Sequence, residues 1–196
     1  GGTLKHYTRP DTLMPVEQVI EDVYKVCNAL DYANKFGLLH RDIKPANIML
    51  TADHVVKVAD FGTAYFSKSE ETQVFDVGTL PYMPPEHFRN WPPNLQQDIY
   101  AVGVVAYQLL AGNLPFSADS FDALMKQKLD GQFVSLEARR QDIPNEVRFV
   151  VHRAMHADPQ VRYDSWQTFC DDLHHALPRL DRPTEVLFDT ARFDAL

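Results

Sequence analysis

Cysteine is scarce: Cys27 and Cys170 are the only two in 196 residues. No Cys/His cluster has zinc-site spacing, and two unclustered thiols do not make the framework of a disulfide-rich secreted fold. They fit a reducing, cytoplasmic compartment, where a bridge between them is not expected. Long apolar runs are also missing. The longest, around 99–110, contains Tyr100, Gly103, Tyr107 and Gln108 and is too short and too polar to span a bilayer. The opening GGTLKHYTRP lacks the apolar core of a signal peptide. There is no internal repeat and no low-complexity segment. The 8 glycines never fall in a G-x-G-x-x-G pattern, so no phosphate-cradling loop of that kind is present. Positive charge is in deficit, 19 Lys and Arg against 27 Asp and Glu, for a net charge of −8. That balance argues against nucleic acid or an anionic membrane as the main partner.

What is present is an ordinary globular composition, 45% hydrophobic and 23% charged, in a chain long enough for one substantial core. Leu4 and Tyr7 suggest a single helical turn before Pro10. A long helix opens at Met14-Pro15, where a missing N–H costs little. Val16, Val19, Ile20, Val23, Val26, Cys27, Leu30 and Ala33 recur at helical spacing, and Gly37 stops the run. A very apolar helix over 98–110 is predicted to be buried all round and to end at Gly112. Amphipathic helices are predicted over 121–129 and 145–155, and a last one over 165–176 with Ser165 as its N-cap. The fold class is therefore mainly α with a short β-hairpin.

The hairpin lies inside the most informative stretch, His40 to Gly62, HRDIKPANIMLTADHVVKVADFG. Ile48–Leu50 and then Val55, Val56 and Val58 around Lys57 read as two strands, with Ala52-Asp53 as the turn. Such a pair can hold Asp42, Asn47 and Asp60 at one opening. Those groups suit a metal–polyphosphate: one carboxylate to accept a proton, an amide oxygen and a second carboxylate as hard ligands for Mg2+. A charged turn before a hairpin is the bland alternative. Yet H-R-D-x-K-x-x-N is expected by chance on the order of once in ten thousand chains of this length.

The stretch resembles the catalytic and metal-binding loops of protein kinases, H-R-D-L-x-x-x-N and D-F-G. The resemblance extends through Gly78 to Glu86, GTLPYMPPE, where Pro84-Pro85-Glu86 stands for the usual A-P-E. It continues through Asp98, Leu114-Pro115-Phe116 and Asp158-Pro159-Gln160-Val161-Arg162. It covers about residues 1–177 and implies a kinase large lobe over 1–180, with catalytic loop 40–47 and activation segment 60–86. Residues 181–196 are left as an extension or linker, apolar at Val186, Leu187, Phe193 and Leu196.

The resemblance implies ATP and Mg2+ as cofactors and a protein substrate. Asp42 would be the catalytic base and Lys44 would neutralise phosphate charge. Asn47 and Asp60 would hold Mg2+, and Met49 would form the floor under adenine. The Thr79 hydroxyl would bridge Asp42 and Lys44, which together with Lys44 resembles serine/threonine kinases. His40 would pack on Phe61, and Asp98 would accept backbone N–H bonds from the loop. Glu86 and Arg162 would pair in the core. Arg41 beside Asp42 calls for a counter-charge, with Ser67, Ser69 and Thr72 the candidate phosphosites in a mobile loop over 63–76.

One departure is large. No strand lysine of the V-A-I-K type and no partner glutamate precede the long helix, so the small lobe is absent from this sequence. The implied function is a serine/threonine kinase represented by its large lobe and inactive in isolation. A non-catalytic lobe that docks partners is the alternative, favoured by the missing lid. A small-molecule phosphotransferase is disfavoured by the protein-docking segment 78–86. The face left uncovered, around Met49, Leu50 and Phe61, is expected to be apolar and open to self-association.

Overall fold

A computed structural model describes residues 1–61, 65–66, 77–89 and 91–177. The predicted helices are all present. Helix α1 spans Val16–Lys35, α2 Leu95–Ala111, α3 Phe121–Asp130, α5 Asn145–Ala154 and α6 Trp166–Ala176; a short α4, Leu136–Arg139, had no sequence signal strong enough to predict. All eight apolar positions of the α1 stripe are buried. Asp22 is buried on the same helix, and burial raises its carboxyl above the ordinary range although Gln18 donates to it at 2.9 Å.

Helix α2 is the centre of the molecule, packed against α1 on one side and α5 on the other, with α6 closing the layer between α1 and α5. Its start lies at Leu95 rather than Asp98 because the Asn94 side chain accepts from Gln96 N–H at 3.0 Å and caps the first turn. This puts Asp98 inside the first turn, fully within the core. Gly103 is what lets α5 approach, since a Cβ there would lie 2.9 Å from the Ala154 Cβ. Cys27 and Cys170 are free and buried where α1 meets α6, and burial pushes the Cys27 thiol well up.

The sheet is larger than a hairpin. Strands β3 (Ile48–Leu50) and β4 (Val56–Val58) pair antiparallel, Met49 facing Lys57, around the expected turn. Thr51 closes that turn twice, donating its N–H to Val55 O and accepting Val55 N–H on Oγ1, both at 3.0 Å. A third strand, β1 (Gly2–Thr3), adds to the other edge of β3 in the order β1-β3-β4. A second antiparallel pair joins β2 (Leu38–Leu39) to β5 (Tyr65–Phe66). Strand β5 falls in the stretch read from sequence as an irregular loop. Two-residue strands carry too little periodicity to register against Ser/Thr-rich composition.

Alternation along β3 also corrects the expected apolar face. Met49 points out, 45% exposed, but Leu50 points into the core at 8%. Leu50 therefore leaves the set of residues that a covering partner would meet. Among the described residues, no helix is long and apolar enough to cross a membrane. The segment 181–196 and its apolar positions Val186, Leu187, Phe193 and Leu196 lie outside the described residues.

Gly112 ends α2 in the left-handed region, φ 74°, with its N–H on Gln108 O at 2.8 Å. A Cβ there would come within 2.6 Å of Pro10 N and 2.9 Å of the Arg9 carbonyl carbon, both backbone atoms that cannot swing aside. Gly112→Ala is expected to cost about 2 kcal/mol or more, combining an unfavourable φ with overpacking. Denaturant unfolding measures it; a loss under about 0.5 kcal/mol, the level of an inert surface change, would contradict the contact.

Candidate active site

The loop 40–47 is held from behind by one carboxylate. Asp98 accepts His40 N–H on Oδ2 and Arg41 N–H on Oδ1, each at 2.8 Å. Arg41 sits at φ 66°, a conformation that a non-glycine residue adopts only when its surroundings impose it. Asp98 is 4% exposed, and burial raises its carboxyl pKa, partly offset by His40 and by the two N–H bonds. Its position in the first turn of α2 adds the favourable end of the helix dipole.

His40 is itself buried and works as a spacer. Nε2 lies 3.0 Å from Ala59 O, Asp42 N–H reaches Nδ1 at 3.3 Å, and the ring stands 4.5 Å from that of Phe61. A ring that donates at Nε2 and accepts at Nδ1 satisfies both neighbours. It thus links the loop to the strand end after β4. The next residue, Asp60, is exposed and also left-handed, φ 65°.

Four side chains converge in front of this scaffold. Asp42 Oδ1 accepts the Thr79 hydroxyl at 2.8 Å, while Oδ2 accepts Lys44 Nζ and Asn47 Nδ2, each at 2.9 Å. Lys44 Nζ also donates to Thr79 Oγ1 at 3.0 Å, so the hydroxyl uses both of its roles at once. Thr79 stands 37 residues from Asp42 along the chain, so this contact is tertiary. The Asp42 and Lys44 side chains keep 13% and 17% exposure, enough for a ligand to reach an otherwise shielded pair.

Asn47 donates a second time from Nδ2, to Asp42 O at 2.8 Å, and its own backbone oxygen accepts Ala59 N–H at 2.8 Å. With both amide hydrogens on Asp42, Asn47 offers Oδ1 as its acceptor end. That oxygen and the exposed carboxylate of Asp60 are hard-oxygen donors, the chemistry that Mg2+ takes. Among the described residues, no group of three or more His, Cys, Asp or Glu could hold a metal on its own. Met49 is not in the hydrogen-bonded cluster; it lies two residues on, on the open face of β3. Ser67, Ser69 and Thr72, and with them any counter-charge for Arg41 from 67–76, lie outside the described residues.

A second cluster anchors the segment that carries Thr79. Arg162 pairs with Glu86 in a fork, Nη1 to Oε1 at 2.6 Å and Nη2 to Oε2 at 2.8 Å. The remaining donors reach His156 O, Gln96 O and Ala157 O, at 2.6, 3.2 and 3.0 Å, and the guanidinium lies 4.7 Å from the Tyr100 ring centroid. All five guanidinium hydrogens are therefore used. One residue of this region escaped the sequence reading. Lys128 on α3 is fully buried, donating to Pro81 O at 2.7 Å and Met83 O at 2.6 Å. Its place four residues after Leu124, on the apolar stripe, was the available signal.

The family model described as protein kinase domain matches residues 1–175. The chain is 35% identical over 169 residues to the serine/threonine-protein kinase PknB of Mycobacterium leprae, covering 84% of this chain and 27% of that protein. It is 31% identical over 175 residues to a probable serine/threonine-protein kinase of Clostridium acetobutylicum, covering 88% and 27%. It is 33% identical over 202 residues to PknB of Mycolicibacterium smegmatis, covering 100% and 32%. The chain thus spans about a quarter to a third of the length of the curated relatives it matches.

Removing the Glu86 charge would strand a guanidinium that has no exposed surface. Glu86→Ala is expected to destabilise the chain by about 3–5 kcal/mol. The denaturant midpoint reads this directly, and a loss under about 1 kcal/mol, the scale of a surface pair, would contradict the geometry.

Proposed function

The chain belongs to the protein kinase domain family, and from that premise we propose that it is the large lobe of an enzyme that transfers the γ-phosphate of ATP to serine or threonine of a protein substrate. The observation that carries this reading is the cluster in which Thr79 and Lys44 meet on Asp42. A carboxylate held by three donors is oriented before a substrate arrives. An incoming hydroxyl can replace Thr79 as the donor to Oδ1 and be aligned for attack while its proton passes to Asp42. Phosphoryl transfer has a loose transition state, so this alignment and charge stabilisation matter more than proton removal.

Lys44, already 2.9 Å from Asp42, is suited to follow negative charge as it develops on the transferring phosphoryl oxygens. Asn47 Oδ1 and Asp60 would hold Mg2+, which when bound neutralises the phosphates of ATP. Met49, exposed on the outer face of β3, offers an apolar surface for adenine. Arg41, Glu86, Asp98 and Arg162 act on position rather than on chemistry. The domain reading, 1–180 as the lobe and 181–196 as an extension, belongs to the same proposal, as does a cytoplasmic location where ATP is available.

The lid that would hold ATP from the opposite side, a glycine-rich loop and a strand lysine, is not among these 196 residues. Activity is therefore expected from the full-length protein with Mg2+ and ATP and not from residues 1–196 alone. In the full-length protein, Asp42→Asn is expected to lower turnover about a hundred-fold or more while the fold stays intact. Near-normal turnover in that variant would remove Asp42 from its role. Robust phosphorylation of a peptide by the isolated chain would contradict the lobe assignment. Partner binding with no phosphotransfer from either form would favour a non-catalytic docking module.

A further inference from the structure

Lys128 has no exposed surface and takes no part in the Asp42 cluster. It lies near the C-terminal end of α3, and its ammonium reaches out of that helix to the carbonyls of Pro81 and Met83. The rings of Tyr100 and Phe116 stand over it, 5.1 and 5.4 Å to their centroids. The segment it touches is built of two 3-10 helices, Val77–Tyr82 and Pro85–Arg89, joined through Met83 and Pro84. Pro81, Pro84 and Pro85 have no N–H to donate, so the carbonyls of this stretch need partners from elsewhere. Lys128 supplies two of those bonds from a single charged group, the stronger class of hydrogen bond. Pro81 and Met83 follow Thr79 by two and four residues, so whatever fixes them fixes the approach of the Thr79 hydroxyl to Asp42.

We propose that Lys128 is a positioning residue for protein substrate: by tying α3 to the carbonyls of Pro81 and Met83 it holds the segment 79–86 that carries Thr79 and lies beside Asp42. The substrate part rests on the kinase reading; the tie itself does not. The charged groups that face Lys128 are Glu86, from the turn Pro85–Arg89, and Arg162, while α2 contributes Tyr100 and residue 116 its phenyl ring. Burial, with Arg162, pushes the ammonium down from 10.5 to about 7, Glu86 acting the other way. The two carbonyls at 2.7 and 2.6 Å favour the ammonium form and act against that shift.

Two readouts on the full-length protein test this, using Lys128→Met, the conservative Lys128→Arg, and Lys128→Gln measured in the same way should the Met variant not fold. In steady-state kinetics, Lys128→Met is expected to raise the peptide KM about ten-fold or more, the loss of one charge-assisted bond pair, with the KM for ATP unchanged and partial recovery in Lys128→Arg. In amide hydrogen exchange corrected for intrinsic rates, segment 79–86 should open faster in Lys128→Met while α2 amides do not. An unchanged peptide KM, or α2 amides accelerating as much as those of 79–86, would overturn the proposal. If the wild type transfers no phosphate, the kinase reading falls and exchange alone decides. Selective loss of protection at 79–86 then supports the tie, and equal protection in wild type and variant overturns it.

Discussion

Two backbone N–H groups on one buried carboxylate hold this structure's chemistry in place. Asp98 accepts from His40 and Arg41, and it fixes the amide of an Arg41 that stands at positive φ. Everything in front depends on that turn. It aims Asp42 outward, sets His40 between Ala59 and Phe61, and lets Asn47 donate two hydrogen bonds to Asp42. The aspartate belongs to the first turn of α2, the most buried helix, so the loop inherits the rigidity of the core. Strain at the loop, of order 1–3 kcal/mol per unusual backbone position, is sustained by burial behind it.

The same helix anchors the second half of the site. Tyr100, two residues after Asp98, lies under both the Arg162 guanidinium and the Lys128 ammonium. Those two cations reach the segment 79–86 by different chemistry. Arg162 grips the Glu86 side chain and three carbonyls, whereas Lys128 grips carbonyls only. Its prolines leave this segment with fewer backbone donors than carbonyls, so donors from outside complete its hydrogen bonding. The result is that the segment 79–86 and the loop 40–47 are registered on one helix, with Thr79 joining them at Asp42.

The amphipathic helices were legible because their apolar residues repeat at helical spacing, and α2 because it is apolar all round; Gly37 and Gly112 stop two helices and Ser165 caps the start of the last. The loop was legible because its residue types are rare in combination. What sequence left out has physical causes. Strand β1 and the β2–β5 pair are two residues long and made by tertiary pairing. The start of α2 depends on a side-chain cap at Asn94 in a proline-bounded stretch. Leu50 faces inward because β3 alternates, which a composition-based view of an apolar face overlooks. Lys128 was hidden because a lysine on an amphipathic helix is ordinarily solvated; only its i, i+4 relation to Leu124 distinguished it.

The dependence of the loop on Asp98 can be measured at the two amides concerned. Asp98→Asn keeps the shape of the side chain but replaces one acceptor by a donor. In hydrogen exchange, the His40 and Arg41 amides of the wild type are expected to match the protection of the α2 core. In the variant at least one should exchange about a hundred-fold faster, while core amides away from the loop hold their protection. Unchanged protection of both amides in Asp98→Asn would mean that something other than this carboxylate holds the loop.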